Sequence, residues 1–488
     1  MLTHRGLQAF ESDGTWNRQG PDLPHEKDIV INAINMLDMT PDGTFVLVGQ
    51  GGVGRIDLYE YNAQYDNFTT VVTKNEGGRF GKSVSLSSDG SRFAVGKYDE
   101  ANFTGVVQVY EKYENGTWAT IGQDIFGDNE DDWAGYSVAL SGDGTRLAVG
   151  IPFSDPNNDF SKGIVRVYRW ESDSTWGRLG SDIIGEAAGD RSGIKVVMSK
   201  DGRTIAIAAT HNDAEDEADL LRNTGQVRVY SFSILSRWEK KGSDIDGLES
   251  YIGNPMDIAI TPNGDQVIIG YPGASSDTGQ VVVYKYGDDW EIYGDIIRGE
   301  AESYQFGYSV SMSDNGNVIM IAAPGAENSI HSGIGFVYKF NETNQTWAYV
   351  SSESSDTCFS AKISADGGTV ASMTPTSTQV FKFFVDSPVP SMAPSVSFSP
   401  SILPSVSQLP SISLEPTINT NEPEPPPPPP SPPFYLLLLP LVPAVFFAAG
   451  FALFSFGIGD GLVIWLFSNI QWAVTNIWWW FLDTWWFA

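Results

Sequence analysis

The sequence has 488 residues but only one cysteine, Cys358, and four histidines. A single cysteine excludes an intrachain disulfide and a zinc site made of several thiolates. No two histidines stand at a metal-ligand spacing such as His-x-x-x-His, and the chain has no glycine-rich phosphate loop. We therefore predict a protein without metal, cofactor or catalytic activity. A hydrolase that assembles its site in space and acts on glycans or peptides is the alternative.

Positive charge is scarce as well. The chain has 29 Lys and Arg against 60 Asp and Glu, which gives a formal net charge of −31. All the Lys and Arg, together with 54 of the acidic residues, precede residue 386, so this part carries −25. Such a surface repels nucleic acid and anionic lipid headgroups, and it suits cations or basic partners. Solubility alone is the simpler interpretation of the same charge.

The start of the sequence shows no secretory leader. Its first residues, MLTHRGLQAFESDGTW, lack the apolar run of a signal peptide. Two interpretations stay open. Either the protein is cytosolic, or the translation start is misplaced or the leader has been removed.

Seven similar turns organise the chain. In SVALSGDGTRLAVGIP, residues 137–152, two short apolar strands flank an Asp-Gly pair. A third strand of the form Gly-x-Val-x-Val-Tyr and a fourth that carries Trp-x-x-x-Gly-x-Asp-Ile follow in several units. Four short strands per unit, repeated every 47–62 residues, are typical of propeller blades. The predicted fold class is all-β, with a seven-bladed β-propeller over residues 1–385. The Gly-preceding turn residues are Asp42, Asp89, Asp143, Asp201, Asn263, Asn315 and Asp366.

The two ends of the repeat predict how the ring closes. TWNRQGPDL at 15–23 matches a fourth strand but precedes the first full unit, whereas the last unit ends with TQVFKFF at 378–384. We predict that the N-terminal strand completes the last blade, because closure removes exposed sheet edges. The Asp-Gly pairs are predicted to be two-residue type I′ turns rather than metal loops or catalytic carboxylates.

The repeat resembles two known propeller groups. Phe-Gly-x-Ser-Val at 80–84 and 306–310, with the Gly-Ala-Pro-like segments at 148–152 and 322–326, is similar to the FG-GAP repeat of integrin α-subunits. The Ser-x-Asp-Gly turn resembles that of WD40-like and YVTN-type propellers. The resemblance implies a propeller and says little about function. FG-GAP calcium loops carry several alternating acids, whereas 141–146 holds Asp143 alone, so the resemblance does not extend to calcium binding.

Acidic loops are predicted to share one face of the propeller. Strands one and two of a blade join on one face, whereas the inter-blade loops and the second-to-third loops emerge on the other. Function in propellers usually resides in such loops. We predict an acidic binding face for cations or basic partners, with a solvated rim as the alternative. Its candidate residues are Asp128, Glu130, Asp131, Asp132, Asp155, Asp213, Glu215, Asp216, Glu217 and Asp219.

The C-terminal part changes in composition. Residues 386–433 repeat Pro-Ser and predict a disordered, partly polyproline stalk, which resembles those of algal, especially diatom, surface proteins. Residues 434–488 predict a membrane anchor, since 434–459 carry no charge for 26 residues. A Trp-rich second stretch at 462–482 leaves a single transmembrane helix and a helical hairpin both open.

Together these features predict a membrane-anchored, non-catalytic propeller for protein or carbohydrate recognition or adhesion. Its propeller would lie outside the cell or in the secretory lumen, and a tail-anchored cytosolic scaffold is the alternative. Asn-x-Ser/Thr sequons favour the first, because glycosylation occurs in the lumen. The candidate glycosylated residues are Asn67, Asn102, Asn115, Asn341 and Asn344.

Overall fold

The structure is a computed structural model and describes residues 14–25, 37–156, 159–212, 224–248, 257–325, 334–354, 358–374 and 376–385. The predicted stalk at 386–433 and anchor at 434–488 lie outside these residues. Across the described ranges, no helix is long and apolar enough to span a membrane.

The chain forms seven antiparallel sheets, which confirms the predicted seven-bladed propeller. In blades 2–5 and 7, a fifth strand of two residues also pairs with the third strand. The strands, in order from the inner edge of each blade, are as follows. Blade 1 has Leu37–Met39, Phe45–Gln50, Arg55–Asn62 and Asn67–Asn75; blade 2 has Ser83–Leu86, Arg92–Lys97, Val106–Lys112, Trp118–Thr120 and Ile125–Phe126; blade 3 has Ser137–Leu140, Arg146–Ile151, Ile164–Trp170, Trp176–Arg178 and Ile183–Ile184; blade 4 has Lys195–Met198, Thr204–Ala209, Gln226–Phe232, Trp238–Lys240 and Ile245–Asp246. Blade 5 has Asp257–Ile260, Gln266–Tyr271, Gln280–Tyr286, Trp290–Ile292 and Ile297–Arg298; blade 6 has Ser309–Met312, Val318–Ala323, Ile334–Asn341 and Thr346–Ser354; blade 7 has Ser360–Ile363, Thr369–Met373, Ser377–Val385, Gly14–Arg18 and Leu23–Pro24.

Closure of the ring follows the prediction. The N-terminal strand Gly14–Arg18 pairs antiparallel with Ser377–Val385, so the first strand in the sequence completes the last blade. The innermost strands of blades 1 and 7 also contact each other. A ring closed by its own N-terminus leaves no blade without neighbours.

Apolar side chains between neighbouring blades form the core. Leu147 and Val149 of blade 3 pack with Val107 and Val109 of blade 2 in one buried cluster. Six comparable clusters occur among the described residues, which fits a ring of stacked sheets. Both faces of each blade are covered, so the second strands are apolar at nearly every position rather than alternating.

The Trp-x-x-x-Gly pattern has a contact that explains it. The indole of Trp238 donates from Nε1 to the carbonyl oxygen of Leu179 in the preceding blade, at 2.8 Å. Its ring lies against Gly180, where an added Cβ would come within 2.9 Å of the Trp238 side chain. The glycine of one blade therefore makes room for the tryptophan of the next. Trp176, Trp290 and Trp347 donate in the same way.

The Asp-Gly connections are not two-residue hairpins, so the type I′ prediction is wrong. Ser141 N donates to Arg146 O at 2.9 Å, which leaves four residues between them. Gly144 alone in this connection has positive φ, at 64°, whereas a type I′ turn needs it at both central residues. Asp143 does not have positive φ, and its carboxylate accepts hydrogen bonds from Ser141 and Thr145 within the same loop.

Candidate functional site

The connections between the first and second strands form what we call the turn face, and their carboxylates serve the turns themselves. Asp143 Oδ1 accepts hydrogen bonds from Ser141 Oγ at 2.5 Å and Thr145 N at 3.0 Å. Asn263 and Asn315 accept the corresponding hydroxyl bonds in blades 5 and 6, each at 2.9 Å. An amide therefore does the same work as a carboxylate. The prediction of structural turns, rather than metal loops or catalytic groups, agrees with this geometry.

A cavity of about 190 Å³ lies on the propeller axis. Residues from the first strands of all seven blades line it. Three lysines and two aspartates line it, and each lysine pairs with an aspartate: Lys200 with Asp314 at 2.6 Å, Lys362 with Asp38 at 3.8 Å, and Lys195 with Asp257, outside the lining, at 2.5 Å. Burial lowers the pKa of the Lys195 ammonium, and the Asp257 carboxylate opposes that effect. Because each of these lysines pairs with an aspartate, their charges offer little net attraction to an ionic ligand.

The opposite surface, which we call the loop face, is built from paired loops. Trp133 N, in the loop between blades 2 and 3, donates to Phe103 O at 2.8 Å in the second-to-third loop of blade 2. Arg191 N donates to Ser161 O at 3.0 Å one blade further on. The two kinds of loop therefore share a face, as the topology predicted.

Several candidate acids on this face already have partners in the protein. Asp128 binds the buried guanidinium of Arg166, and this contact lowers the pKa of the Asp128 carboxyl. Arg166 also contacts Asp182, at 3.1 Å. Asp132 is only 3% exposed, and its Oδ2 accepts from the backbone N–H groups of Asp128 and Asn129 at 2.9 and 2.8 Å. These carboxylates hold the blades and loops in place.

The remaining described candidates lie close to solvent. Glu130 accepts a bond from the Asn102 amide at 3.0 Å, Asp131 is exposed, and Asp155 accepts from Ser161 N at 2.5 Å. In the part of the chain that the structure covers, no group of three or more His, Cys, Asp or Glu could hold a metal ion. The structure thus places Glu130 and Asp131 together at one loop. The other candidates, Asp213, Glu215, Asp216, Glu217 and Asp219, lie outside the described residues.

The loop face also carries a group of rings that no sequence motif predicted. We call it the aromatic cluster, and it joins blades 2 and 3. Its ring centroids lie 4.8 Å apart for Tyr98 and Trp133, 5.6 Å for Phe103 and Trp133, and 4.3 Å for Trp133 and Phe153. The members are Tyr98, Phe103, Trp133, Tyr136 and Phe153. Phe103 is 42% exposed and Trp133 is half-buried, so ring surface remains open to solvent.

Two cations of the chain lie over rings of this cluster. Lys82 Nζ is 4.8 Å from the Tyr136 centroid, and the Arg191 guanidinium is 5.1 Å from that of Phe153. Burial lowers the pKa of Lys82 to about 7, with a smaller contribution from Arg79. Lys82 and Tyr136 occupy the same position of the Phe-Gly-x-Ser-Val repeat, where Tyr308 stands in blade 6. An alignment of the repeats at this position would therefore single out Lys82 and Tyr136.

Four of the candidate glycosylation residues lie away from the loop face. Asn67, Asn115, Asn341 and Asn344 lie at the hairpins between the third and fourth strands. Antiparallel order places these hairpins at the same end of the blade as the turn face. Asn115 and Asn344 are exposed, whereas Asn67 and Asn341 are half-buried. Asn102, the remaining sequon, lies in the loop that carries Phe103.

Comparisons with known proteins support the fold only. No family model matches the chain, and no curated protein matches it in sequence. Among solved structures, Kuenenia stuttgartiensis hydrazine synthase is similar with a TM-score of 0.51 and 14% identity, over 74% of this chain and 98% of that one. Periplasmic gluconolactonase PpgL of Pseudomonas aeruginosa gives a TM-score of 0.47 and 15% identity, over 71% of this chain and 87% of that one. At such identity the first likeness shows the propeller fold alone, the second is too weak to add to it, and the FG-GAP similarity stays a resemblance.

Proposed function

We propose that this propeller is a non-catalytic recognition module that binds its ligand through the loop face. The observation that carries the proposal is the aromatic cluster, a group of five rings that is partly exposed on the loop face. Other candidate groups of this face, such as the carboxylates of Asp128 and Asp132, already bind partners within the protein. Large exposed aromatic surface on a rigid scaffold is what recognition sites use. The predicted stalk and anchor would tether the propeller to a membrane, with the propeller outside the cell or in the secretory lumen.

Four of the five sequons are compatible with ligand binding at the loop face, whereas Asn102 lies beside Phe103 and would have to stay unglycosylated. Attached glycans at Asn115 and Asn344 would project from the turn-face end of the blades and leave the aromatic cluster uncovered. A mobility shift of the full-length protein from its own cells after N-glycosidase treatment tests the compartment. We expect a shift that is lost in the Asn115→Gln/Asn341→Gln variant. An unchanged mobility, with the propeller cleaved by protease from the cytosolic side, would instead identify a tail-anchored scaffold.

Binding to cells tests the recognition function. Labelled full-length protein is titrated onto intact cells of its own source, and bound label is counted by flow cytometry. Phe103→Ser removes an exposed ring from the loop face, and we expect affinity to fall about tenfold.

Ile234→Ser is the matched control, because Ile234 is 93% exposed at the outer hairpin of blade 4, away from the loop face. We expect it to bind like the unchanged protein. Equal binding by all three proteins would contradict a role for the loop face.

A further inference from the structure

We propose that the aromatic cluster binds a neutral glycan, with a pyranose ring stacked on the open surface of Phe103 and Trp133. This proposal rests on the proposed function and names the ligand class for the same site. A pyranose has a face of C–H groups that packs well against an aromatic ring, and its hydroxyls project at the ring edge. The site therefore needs flat aromatic surface beside hydrogen-bonding groups.

Phe103 provides most of the open aromatic surface, since it is 42% exposed. Tyr98 and Phe103 both stack against Trp133, at interplanar angles of 19° and 27°, so these rings cover part of one another's faces and hold the group in place. Phe153 packs against Trp133 from a separate loop and supports it. Because several rings support one another, the exposed surface is held in position before a ligand arrives, which lowers the entropy cost of binding.

The hydrogen-bonding groups stand on the same two loops as the rings. Asn102 precedes Phe103, and both Glu130 and Asp131 come within three residues of Trp133. The Asn102 amide donates to Glu130, so the two loops present an amide and two carboxylates together. Sugar hydroxyls can donate to these carboxylates and accept from the amide. An apolar peptide would leave the same polar groups without new partners on binding.

Left-handed backbone places the side chains at this position. Asn102, Phe103, Asp131 and Trp133 have φ of 56°, 61°, 64° and 60°. Such conformations are unfavourable for residues other than glycine, so the surrounding contacts must hold them. Blade 5 has a similar left-handed turn at Ala274–Asp277, but its residues are small or polar. The backbone is thus repeated, and the rings are particular to blades 2 and 3 among the described loops.

The charged side chains at the cluster favour a neutral ligand over a charged one. Glu130 and Asp131 are both exposed at the cluster, so an acidic sugar would meet two carboxylates. Lys82 already lies over Tyr136 and Arg191 over Phe153, so a basic peptide would have only the rings of Phe103 and Trp133 to contact, and the arginine-rich probe below tests that alternative. A polyhydroxylated ligand without charge fits both facts.

Titration calorimetry of the full-length protein tests the proposal. The probes are hexasaccharides of β-1,3-glucan, β-1,4-glucan, mannan and chitin, with an arginine-rich peptide and a uronic acid hexamer for comparison. We expect at least one neutral hexasaccharide to bind and the charged probes not to bind. Trp133→Ala should weaken binding by about tenfold or more, whereas Trp133→Phe keeps an aromatic face and should remain within about threefold.

Ile234→Ser again serves as the control with unchanged binding, and a thermal unfolding scan of each variant shows that it is folded. If none of the neutral hexasaccharides binds, or if only the charged probes bind, the glycan proposal is wrong. In that case a loss of cell binding in Phe103→Ser would still support recognition through the loop face. Glycan binding that Trp133→Ala leaves unchanged would also overturn the assignment to this cluster.

Discussion

The turn face and the loop face are made by the same seven repeats, yet they differ in how far internal contacts already occupy their side chains. On the turn face, Asp143 is held by Ser141 and Thr145, and equivalent bonds recur in other blades. On the loop face, the aromatic cluster belongs to blades 2 and 3 alone among the described residues. Features that recur in every blade therefore build the scaffold. Features that occur once are the better guide to function.

The contacts that hold the loop face in place are themselves repeated, and breaking one should have the largest effect. Gly150 is the last residue but one of the second strand of blade 3, and a Cβ there would lie 2.0 Å from the carbonyl oxygen of Gly193, which precedes the first strand of blade 4. No side chain fits without moving a blade. Gly150→Ala should cost about 4 kcal/mol of unfolding free energy, measured by urea denaturation.

Gly287→Ala is the matched control, since nothing lies within 4 Å of its added Cβ. Its stability should stay within about 0.5 kcal/mol of the unchanged protein. Similar losses at both glycines would contradict the close blade contact.

The buried Lys195–Asp257 pair beside the axial cavity should respond next most strongly. Asp257→Ala leaves the buried Lys195 ammonium without the carboxylate now 2.5 Å away, and it removes the acceptor of Val310 N. The expected loss is about 3 kcal/mol. The double variant Lys195→Met/Asp257→Asn removes both charges together and should be less damaging than Asp257→Ala alone. If the double variant were less stable than Asp257→Ala, the ion pair itself would be shown to stabilise the propeller.

Lys82 lies over the Tyr136 ring of the aromatic cluster, and the effect of replacing it should depend on pH. Its pKa falls from 10.5 to about 7 on folding because the ammonium is buried, with Arg79 adding to the shift. Between these values the unfolded chain holds a proton that the folded protein does not, so stability rises with pH through this window. Lys82→Met should therefore stabilise the protein by on the order of 2 kcal/mol at pH 6, and the gain should fade towards pH 10.

Lys241→Met is the control for this pH dependence. Lys241 also contacts an aromatic ring, that of Tyr286 at 4.6 Å, and its side chain, which is 15% exposed, bonds Asp265 at 2.8 Å. The unfolding midpoint of Lys241→Met, measured from pH 6 to pH 10, should not exceed that of the unchanged protein at pH 6. A gain at Lys82 that is equal at all pH values would mean that packing, and not the buried charge, is responsible.

The sequence predicted most of the fold and little of the site, for a physical reason. Blade number and closure follow from a period of short strands, because each strand must pair with its neighbours in the chain. The type I′ prediction is wrong because the Asp-Gly pair alone does not indicate that Ser141 Oγ and Thr145 N both donate to Asp143.

The candidate site depends on contacts between distant positions, which a repeat does not encode. The sequence predicts Asp128 as an acid of the binding face, yet its carboxylate binds Arg166, 38 residues away. The aromatic cluster brings together Tyr98, Phe103, Trp133 and Phe153 from separate connections without a common motif. Only Lys82 and Tyr136 stand at a repeated position, so only they could have been found by aligning blades.

The turn face gives the smallest expected effect and the sharpest check on its role. Asp143→Ala removes the acceptor of Ser141 Oγ and Thr145 N and should cost about 1 kcal/mol. These hydrogen bonds outweigh partial burial and hold the pKa of Asp143 below 3.8, so the stability they give is present above that value and lost as pH falls through the lowered pKa. The cost of the alanine should therefore shrink in acid. Asp143→Asn copies Asn263 and Asn315 and should be almost neutral at pH 7, as judged by urea unfolding. A loss from asparagine as large as that from alanine would mean that the charge itself is used, and the turn face would then have a function beyond the scaffold.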